Sequence, residues 1–312
     1  MKKPLKILIT GASGFIGSQL VKQLETSGQV EIRVATRRPI KRGNQAHAVD
    51  DVSPTTDWTE AVSKIDVVIH CAARAHVLND DKANPLELYR YTNTDGTLNL
   101  ARQAARHGVK RFIFLSSIGV NGTSSAKPFT SDTIPCPSEA YAQSKLEAEQ
   151  GLHAIQQETM EVVTIRPPLV YGPNAPGNFG LLSRILRTSL PLPLNGINNA
   201  RSFVSIWNLS DLIATCVDHP QAANKTFLVR DGEDVSTSEL LRKMAIAQGQ
   251  TPRLFWMPSM LLKAGATLLG KRQMYDRLFD SLQVDDTATR ETLGWEPPLS
   301  LDEGIKRSFS TE

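Results

Sequence analysis

The feature that most constrains the fold is the stretch ILITGASGFIGSQL at 7–20, where an apolar run stops at three closely spaced glycines and continues as a helical pattern. Gly11, Gly14 and Gly17 are the glycines of this turn. A strand, a glycine turn and a helix N-terminus let backbone N–H groups approach a pyrophosphate, where the helix dipole favours negative charge. The alternative is a tight turn that only packs a strand against a helix. Either way, the stretch predicts a strand–turn–helix unit at the start of the chain.

The rest of the chain places that unit in an α/β fold. The strand-like runs KILIT, EIRVAT, DVVIHCAA, RFIFLSS and EVVTIRP alternate with helical patterns, and their continuous apolar character indicates strands buried on both faces. We therefore expect a Rossmann-like doubly wound parallel sheet. From about Pro173 the rhythm changes to proline-rich loops and shorter elements. This change predicts a NAD(P)-binding domain at 1–172 and a smaller α/β, mainly substrate-binding region at 173–312, with part of the latter returning to the sheet.

Composition excludes several classes of protein. Hydrophobic residues make up 40% and the net charge is +3 with no long basic block, so nucleic acid is not an expected partner. Cys71, Cys136 and Cys216 lie far apart without metal-ligand spacing, which predicts a reducing, cytoplasmic location and no metal site. The apolar segment at 256–270 is too short to span a bilayer and contains Lys263. We interpret it as an amphipathic core helix, with contact to a membrane surface as the alternative.

The end of the second strand bears on the choice of cofactor. Arg37 falls roughly 20 residues after the last glycine, where a dinucleotide fold reads the adenosine ribose. An acid at this point accepts from the 2′-hydroxyl of NAD, whereas this chain has Thr36, Arg37 and Arg38. Guanidinium groups suit a 2′-phosphate, so NADP(H) is the preferred prediction and NAD(H) the alternative. Two solvated surface arginines would look the same in sequence.

The residues suited to proton transfer lie in SEAYAQSKLEAE and at the end of RFIFLSS. Tyr141 and Lys145 are four apart, on one face of a helix. An ammonium beside a phenol is expected to lower the phenol's pKa and make it a usable acid/base. Ser116 and Ser117 end a strand where ligands bind in such sheets, and one of them is expected only to cap the strand.

Several motifs in this order and spacing carry a family resemblance: TGASGFIG, HCAA, NTDGT, SSIGVNG, YAQSK, RPPLVYGP and LGWEPPLSLDEGI. Over essentially the whole chain the sequence resembles the extended short-chain dehydrogenase/reductases, in the branch of nucleotide-sugar epimerases, dehydratases and ketoreductases. Through RSFVSIWNLSDLI, TFLVRDGEDVSTSELLRKMA and RLFDSLQVD it is most similar to bacterial surface-polysaccharide enzymes that reduce a UDP-4-keto-6-deoxy-N-acetylhexosamine.

The resemblance implies roles residue by residue. Ser117, Tyr141 and Lys145 would be catalytic, and His70 is expected to be a core histidine. Substrate contacts would come from Ser117, Asn178, Arg201 and, more weakly, Arg277. Cofactor contacts would come from Gly11, Ser13, Gly14, Phe15, Ile16, Gly17, Arg37, Arg38, Asp51, Val52, Cys71, Ala72, Ala73, Asn93, Tyr141, Lys145 and Pro168, with a structural role as the alternative for Asn93.

Three functional hypotheses follow. The leading one is an NADP(H)-dependent 4-ketoreductase of a UDP-linked 6-deoxy-N-acetylhexosamine, because the arginines after the second strand replace the acid found in NAD-retaining epimerases of the family. The alternative is a NAD-dependent 4-epimerase of a UDP-hexose, a UDP-N-acetylhexosamine or a lipid-linked sugar. A sensor without turnover is the third, and the intact Ser117, Tyr141 and Lys145 argue against it. A homodimer paired through the helices near 84–107 and 138–157 is expected from the resemblance.

Overall fold

The structure, a computed structural model, describes residues 3–28, 30–37, 45–49, 51–75, 84–156 and 160–310. Its strands are β1 Leu5–Thr10, β2 Val30–Thr36, β3 Gln45–Ala48, β4 Val67–His70, β5 Arg111–Leu115, β6 Glu161–Arg166, β7 Leu169–Tyr171, β8 Leu192–Asn195, β9 Arg201–Ser205, β10 Lys225–Leu228, β11 Asp234–Val235 and β12 Leu254–Trp256. Its α-helices are α1 Phe15–Ser27, α2 Thr59–Val62, α3 Pro85–Tyr89, α4 Thr97–Arg106, α5 Ala140–Gln156, α6 Gly177–Arg187, α7 Ile206–Cys216, α8 Thr237–Ala247, α9 Ser259–Leu268, α10 Arg272–Phe279, α11 Thr287–Leu293 and α12 Leu301–Phe309. A π-helical segment, Arg90–Gly96, joins α3 to α4, and 3₁₀ turns occupy Ile118–Val120 and Pro220–Ala222.

The main sheet has seven strands in the order β10-β6-β5-β4-β1-β2-β3. All of its strand pairs are parallel. The sequence prediction of a Rossmann-like, doubly wound parallel sheet is therefore confirmed, and all five predicted strands lie in it. Strand order reverses between β1 and β4, which opens a crevice at their carboxyl ends.

The sheet is buried on both faces, as its continuous apolar strands require. Ile7 and Ile9 of β1 enter one hydrophobic cluster, and Leu8 between them enters the cluster on the opposite face. This alternation follows from the two-residue period of a strand. Each face is covered by helices, so the carboxyl edge is the part of the sheet left open to ligands.

The second region adds one strand to the main sheet and also forms small sheets of its own. β10 returns to the main sheet beside β6, while β7, β9 and β11 form a three-stranded sheet and β8 pairs with β12. Tyr171, Phe179 and Phe203 belong to the separate core of this region. The small sheets therefore build a wall beyond the carboxyl edge of the main sheet.

The segment at 256–270 differs from its sequence prediction. It forms β12 and α9, but α9 contains no buried residue, so the prediction of a core helix is wrong. Its partly buried side chains are restricted to one side, and the opposite side faces solvent. Within the described part of the chain, no helix is both long and apolar enough to cross a membrane.

A buried carboxylate joins the second region to the main sheet. Asp231, just after β10, accepts hydrogen bonds from the Tyr171 hydroxyl at 2.6 Å, the Ser205 N–H at 2.9 Å and the Asn208 side-chain amide at 2.7 Å. These donors come from β7, the end of β9 and α7. Without this carboxylate, each of the three buried donors would be left without a hydrogen-bond partner. Asp231 therefore stabilises the contact between the two parts of the chain.

We therefore expect Asp231→Ala to lower the free energy of unfolding by about 3 kcal/mol or more, since each unsatisfied buried donor costs about 1–3 kcal/mol. Denaturant unfolding of the full chain measures this. The matched control is Asp218→Ala at an exposed position, which should change stability by about 0.5 kcal/mol or less. Equal effects of the two substitutions would contradict the role given to Asp231.

Candidate active site

The glycine turn brings β1, α1 and the end of β4 into close contact. Gly11 has φ +69°, and a Cβ there would lie 2.6 Å from the Ala72 nitrogen. A Cβ on Gly17 would lie 2.2 Å from the Gly11 carbonyl oxygen. Gly11 is required because its φ is positive and because the Ala72 backbone leaves no room for a side chain. Gly17 is required because the Gly11 carbonyl of the turn packs against it.

The N-terminus of α1 is left open to an anion. Gly14 is its N-cap without a side-chain cap, and the first turn contains no acidic residue. Its first N–H groups are therefore available, and a 13-residue helix adds a dipole that favours negative charge. Ser13 is exposed beside it, while Phe15 and Ile16 are half-buried. This arrangement fits the pyrophosphate of a dinucleotide.

The end of β4 forms the opposite side of the groove. His70 is fully buried between the hydroxyls of Thr10 at 2.7 Å and Thr97 at 2.9 Å, and burial lowers its pKa to about 3, so it is the core histidine that was predicted. Cys71, Ala72 and Ala73 follow it as half-buried residues. Burial raises the pKa of the Cys71 thiol to about 12, which keeps it neutral.

Two predicted cofactor residues have clear local roles. The buried side chain of Asn93 accepts from the Arg74 N–H at 2.8 Å and donates to the Arg74 carbonyl and to Ser144. Because its amide is engaged by protein on both sides, Asn93 ties the loop after β4 to α5. Asp51 is exposed and its carboxylate accepts from the N–H of the buried Val52 at 2.8 Å. Asp51 and Val52 follow β3 at the carboxyl edge of the sheet.

Of the two arginines expected to read the ribose, one is described. Arg37 is exposed at the carboxyl end of β2, directly after the buried Thr36. β2 is paired with β1, so Arg37 leaves the sheet on the same edge as the glycine turn. Arg38 lies outside the described residues.

The catalytic helix α5 is attached to β5 by a buried cation. The ammonium of Lys145, 1% exposed, donates to the Leu115 carbonyl at 2.8 Å and lies 4.4 Å from the centre of the Phe114 ring. Tyr141 is one turn earlier on the same helix, with its ring 6.0 Å from that of Tyr89. The hydroxyl of Tyr141 has no hydrogen-bond partner among the residues that the structure describes, which leaves it for a ligand.

The electrostatics differ from the sequence prediction. Burial, with a smaller contribution from Tyr89, raises the pKa of Tyr141 to about 12. The expectation that Lys145 lowers this pKa is wrong for the polypeptide alone, because the ammonium is directed to a backbone carbonyl. Burial also lowers the pKa of Lys145, to about 8. A phenolate at Tyr141 therefore needs further positive charge in the site.

The two serines after β5 have different roles. Ser116 is buried and donates to the carboxylate of Glu149. Ser117 is half-buried and its oxygen accepts from the Gly119 N–H at 3.1 Å, which fixes the side chain. The Ser117 hydroxyl proton has no acceptor within the described residues. It is therefore available to a bound oxygen atom, whereas Ser116 is structural.

A buried ion pair beneath these serines was not found from sequence. Arg166 and Glu149 contact each other at 2.5 Å with 7% and 9% of their side chains exposed, and Arg166 also donates to Asn121 at 3.1 Å. Two signals were present: Glu149 lies one turn after Lys145, and Arg166 ends an otherwise apolar strand. Charges in such places are rarely buried without a partner.

Apart from Ser117, the predicted substrate residues all lie in the second region. Arg201 begins β9 and donates to the Asp280 carbonyl at 2.8 Å, and its pKa is lowered by burial and by the nearby cation of Arg277. Arg277 also pairs with Glu139, directly before α5, at 2.5 Å. The structure thus brings the two arginines together next to the catalytic helix. Asn178 is half-buried in the first turn of α6, and Pro168 is buried after β6.

The arrangement combines an anion site, a phenol with a nearby fixed hydroxyl, and a pair of cations. Among the described residues, no group of three or more histidine, cysteine or acidic side chains is placed to hold a metal ion. Residues 7–229 match the NAD dependent epimerase/dehydratase family. The chain belongs to this family.

Individual relatives agree with the family match. The chain is 47% identical to a UDP-glucose 4-epimerase of Vibrio cholerae, over 98% of this chain and 95% of that protein. It is similar in fold to UDP-glucuronic acid 4-epimerase from Bacillus cereus in complex with NAD, with TM-score 0.79, 20% identity and coverage of 98% and 96%. It is also similar to UDP-glucose 4-epimerase from Thermotoga maritima with UDP-glucose, with TM-score 0.77, 22% identity and coverage of 98% and 97%. The protein is accordingly an enzyme of the nucleotide-sugar branch that uses a nicotinamide dinucleotide.

For an enzyme of this family, the buried Lys145 predicts a pH dependence of stability. Between about pH 8 and 10.5 the unfolded chain holds a proton on this amine that the folded chain has lost, so the contribution of Lys145 to stability rises with pH in that window. Lys145→Met should remove this rise. It should also stabilise the cofactor-free protein at neutral pH by about 1–2 kcal/mol, because the cost of a buried charge exceeds the one hydrogen bond lost.

Denaturant unfolding of wild type and Lys145→Met across this pH range measures the effect. Lys22→Met, at an exposed position of α1, is the matched control and should retain the wild-type profile. A pH profile of Lys145→Met that runs parallel to wild type would contradict the buried, shifted amine.

Proposed function

We propose that the protein is a NAD-dependent 4-epimerase of a UDP-hexose or UDP-N-acetylhexosamine. The observation that carries the proposal is the Tyr141 and Lys145 pair on α5, set beside the fixed hydroxyl of Ser117 at the carboxyl edge of the sheet. The similarity to a UDP-glucose 4-epimerase over nearly the full length favours epimerisation over the ketoreduction expected first from sequence.

The site residues divide the chemistry between them. Held at the glycine turn and the N-terminus of α1, NAD would supply a hydride acceptor and the positive charge of its oxidised ring. Tyr141 takes the proton of the sugar 4-hydroxyl and later gives it back. The added positive charge stabilises the phenolate that this transfer requires, and so compensates for the raised pKa of Tyr141. Ser117 donates its unused hydroxyl proton to the same sugar oxygen. Lys145 holds α5 against β5 and adds a further positive charge.

The epimerase is tested by its cofactor balance. Purified protein should contain bound NAD and should convert UDP-glucose to UDP-galactose without added cofactor, because a hydride that is returned leaves the cofactor unchanged. Nucleotide released by denaturation and the product ratio by NMR are the measurements. Protein that arrives empty and turns over only a 4-keto sugar with NADPH would contradict the proposal.

Tyr141→Phe tests the assigned acid/base in the same assay. The ring volume is nearly conserved, so bound NAD should be retained while kcat falls by about 10²–10⁴, the usual value of general acid/base catalysis. Tyr275→Phe is the control, because Tyr275 packs on Phe279 of α10 and has no proposed role in proton transfer. Wild-type turnover by Tyr141→Phe would remove Tyr141 from the mechanism.

We further propose that Arg201 and Arg277 bind the diphosphate of the sugar nucleotide. The nearby cation of Arg277 contributes to the lowered pKa of Arg201, an effect that an anion between them would relieve. Arg201→Lys should raise KM for UDP-glucose and weaken inhibition by UDP by about 1.5 kcal/mol or more, since the planar bidentate fork is lost. Arg187→Lys, at the exposed end of α6, should leave both constants unchanged. An unchanged UDP inhibition constant in Arg201→Lys would make Arg201 structural.

Arg37 favours a second candidate, the NADP(H)-dependent 4-ketoreductase of a UDP-linked 6-deoxy-N-acetylhexosamine. On this candidate, Arg37→Ala should weaken NADPH by about 1.5–3 kcal/mol and leave NADH unchanged, because only NADPH carries the 2′-phosphate. Fluorescence titrations of protein freed of nucleotide measure both affinities, with exposed Arg102→Ala as control. The same small effect on both cofactors would remove this candidate's support.

Two expectations from sequence complete the proposal. The three free cysteines favour a cytoplasmic location. Pairing of α4 and α5 with the same helices of a second copy would form a homodimer, and the exposed Tyr91 beside α4 is a suitable contact residue. Both remain predictions.

A further inference from the structure

The outer face of α9 carries several exposed apolar side chains. Met260 is 80% exposed, Leu261 62% and Leu268 87%, and Ala264 between them is also exposed. Their spacing of three and four residues places them on one stripe of the helix. The partly buried Leu262, Gly265 and Ala266 occupy the other side. A helix of a globular protein usually buries such a stripe, and this one does not.

Neighbouring segments extend the stripe into a surface, which we call the α9 surface. Trp256 is 67% exposed at the end of β12, and Leu269 is 74% exposed after α9. The α9 surface therefore consists of the α9 stripe with Trp256 shortly before the helix and Leu269 directly after it, and the tryptophan ring suits a boundary between water and hydrocarbon.

The chain on both sides of this surface is rich in basic residues, of which Arg272 pairs with Asp276 and Lys243 with Asp302. Between Glu239 and Asp276 the chain contains six Lys or Arg residues and no Asp or Glu. Lys263 and Lys271 are exposed on α9 and directly after it, and Arg272 follows at the start of α10. An apolar stripe with a basic border is the pattern of a helix that lies in the plane of an anionic membrane.

We propose that the α9 surface binds the interface of an anionic phospholipid bilayer, with Met260, Leu261 and Leu268 entering the headgroup region and the neighbouring lysines contacting lipid phosphates. A second copy of the chain is the less suitable occupant, because a twofold contact places each surface on itself and brings the like-charged borders together. The inference does not depend on which reaction the enzyme performs. α9 leads directly to α10, which carries Arg277. Binding of α9 to a membrane therefore holds the proposed diphosphate-binding arginine beside that membrane.

Vesicle flotation of the full-length protein tests the proposal. We expect the wild type to float with vesicles of phosphatidylcholine and phosphatidylglycerol, to float weakly with phosphatidylcholine alone, and to be released by salt. Leu261→Gln with Leu268→Gln should reduce binding by about tenfold or more, because two leucines no longer leave water. Ile134→Gln, which alters an equally exposed apolar residue elsewhere, should bind as wild type.

The basic border is tested separately. Lys263→Gln with Lys271→Gln should abolish the preference for phosphatidylglycerol, whereas Lys22→Gln with Lys225→Gln removes the same charge from other exposed positions and should retain it. Thermal unfolding and turnover without vesicles should match wild type for all four variants. Absence of flotation by wild type, or equal flotation by the leucine variant, would overturn the proposal. So would a smaller oligomer for the leucine variant with no vesicle binding by wild type, since the surface would then be a protein interface.

Discussion

The active site depends on one buried ammonium. Lys145 is sealed between α5 and β5, where it donates to the Leu115 carbonyl and contacts the Phe114 ring. Because a cation in this setting is costly, it remains only where a carbonyl and an aromatic face compensate it. That constraint fixes the rotation of α5 and so presents Tyr141, one turn earlier, to the open edge of the sheet. Ser117 reaches the same edge because it follows β5, the strand to which Lys145 donates its hydrogen bond.

The parts of the fold set by local backbone rules were predictable from sequence. The glycine turn requires Gly11 because its φ is positive and a backbone neighbour lies within van der Waals distance of any Cβ. The five apolar runs became central parallel strands because only burial on both faces accommodates them. Ser117 lies at the carboxyl edge because it follows a parallel strand, and Tyr141 and Lys145 belong to the helix that packs on that strand.

Features that arise from contacts between distant segments were not predictable. Burial raises the pKa of Tyr141, and Lys145 does not offset this because its ammonium points to a carbonyl, neither of which residue spacing can show. The Arg166–Glu149 pair depends on how α5 packs against the strand that follows it, and Arg201 approaches Arg277 from a segment far away in the chain. The core-helix prediction at 256–270 was wrong because apolar content does not reveal whether another element covers it. The arginine at the end of β2 suggested NADPH and a reductase, while the relatives favour an epimerase, so this one position did not decide the reaction.

We propose that one site removes a hydride from C4 of a UDP-sugar and returns it without exchange. UDP-glucose carrying deuterium at C4, incubated with the purified enzyme and no added cofactor, tests this most directly by NMR. We expect UDP-galactose that retains deuterium at C4, since the hydride does not exchange with solvent, while the 4-hydroxyl proton passes through Tyr141. Loss of the label to water, or turnover that starts only when NADPH is supplied, would contradict it.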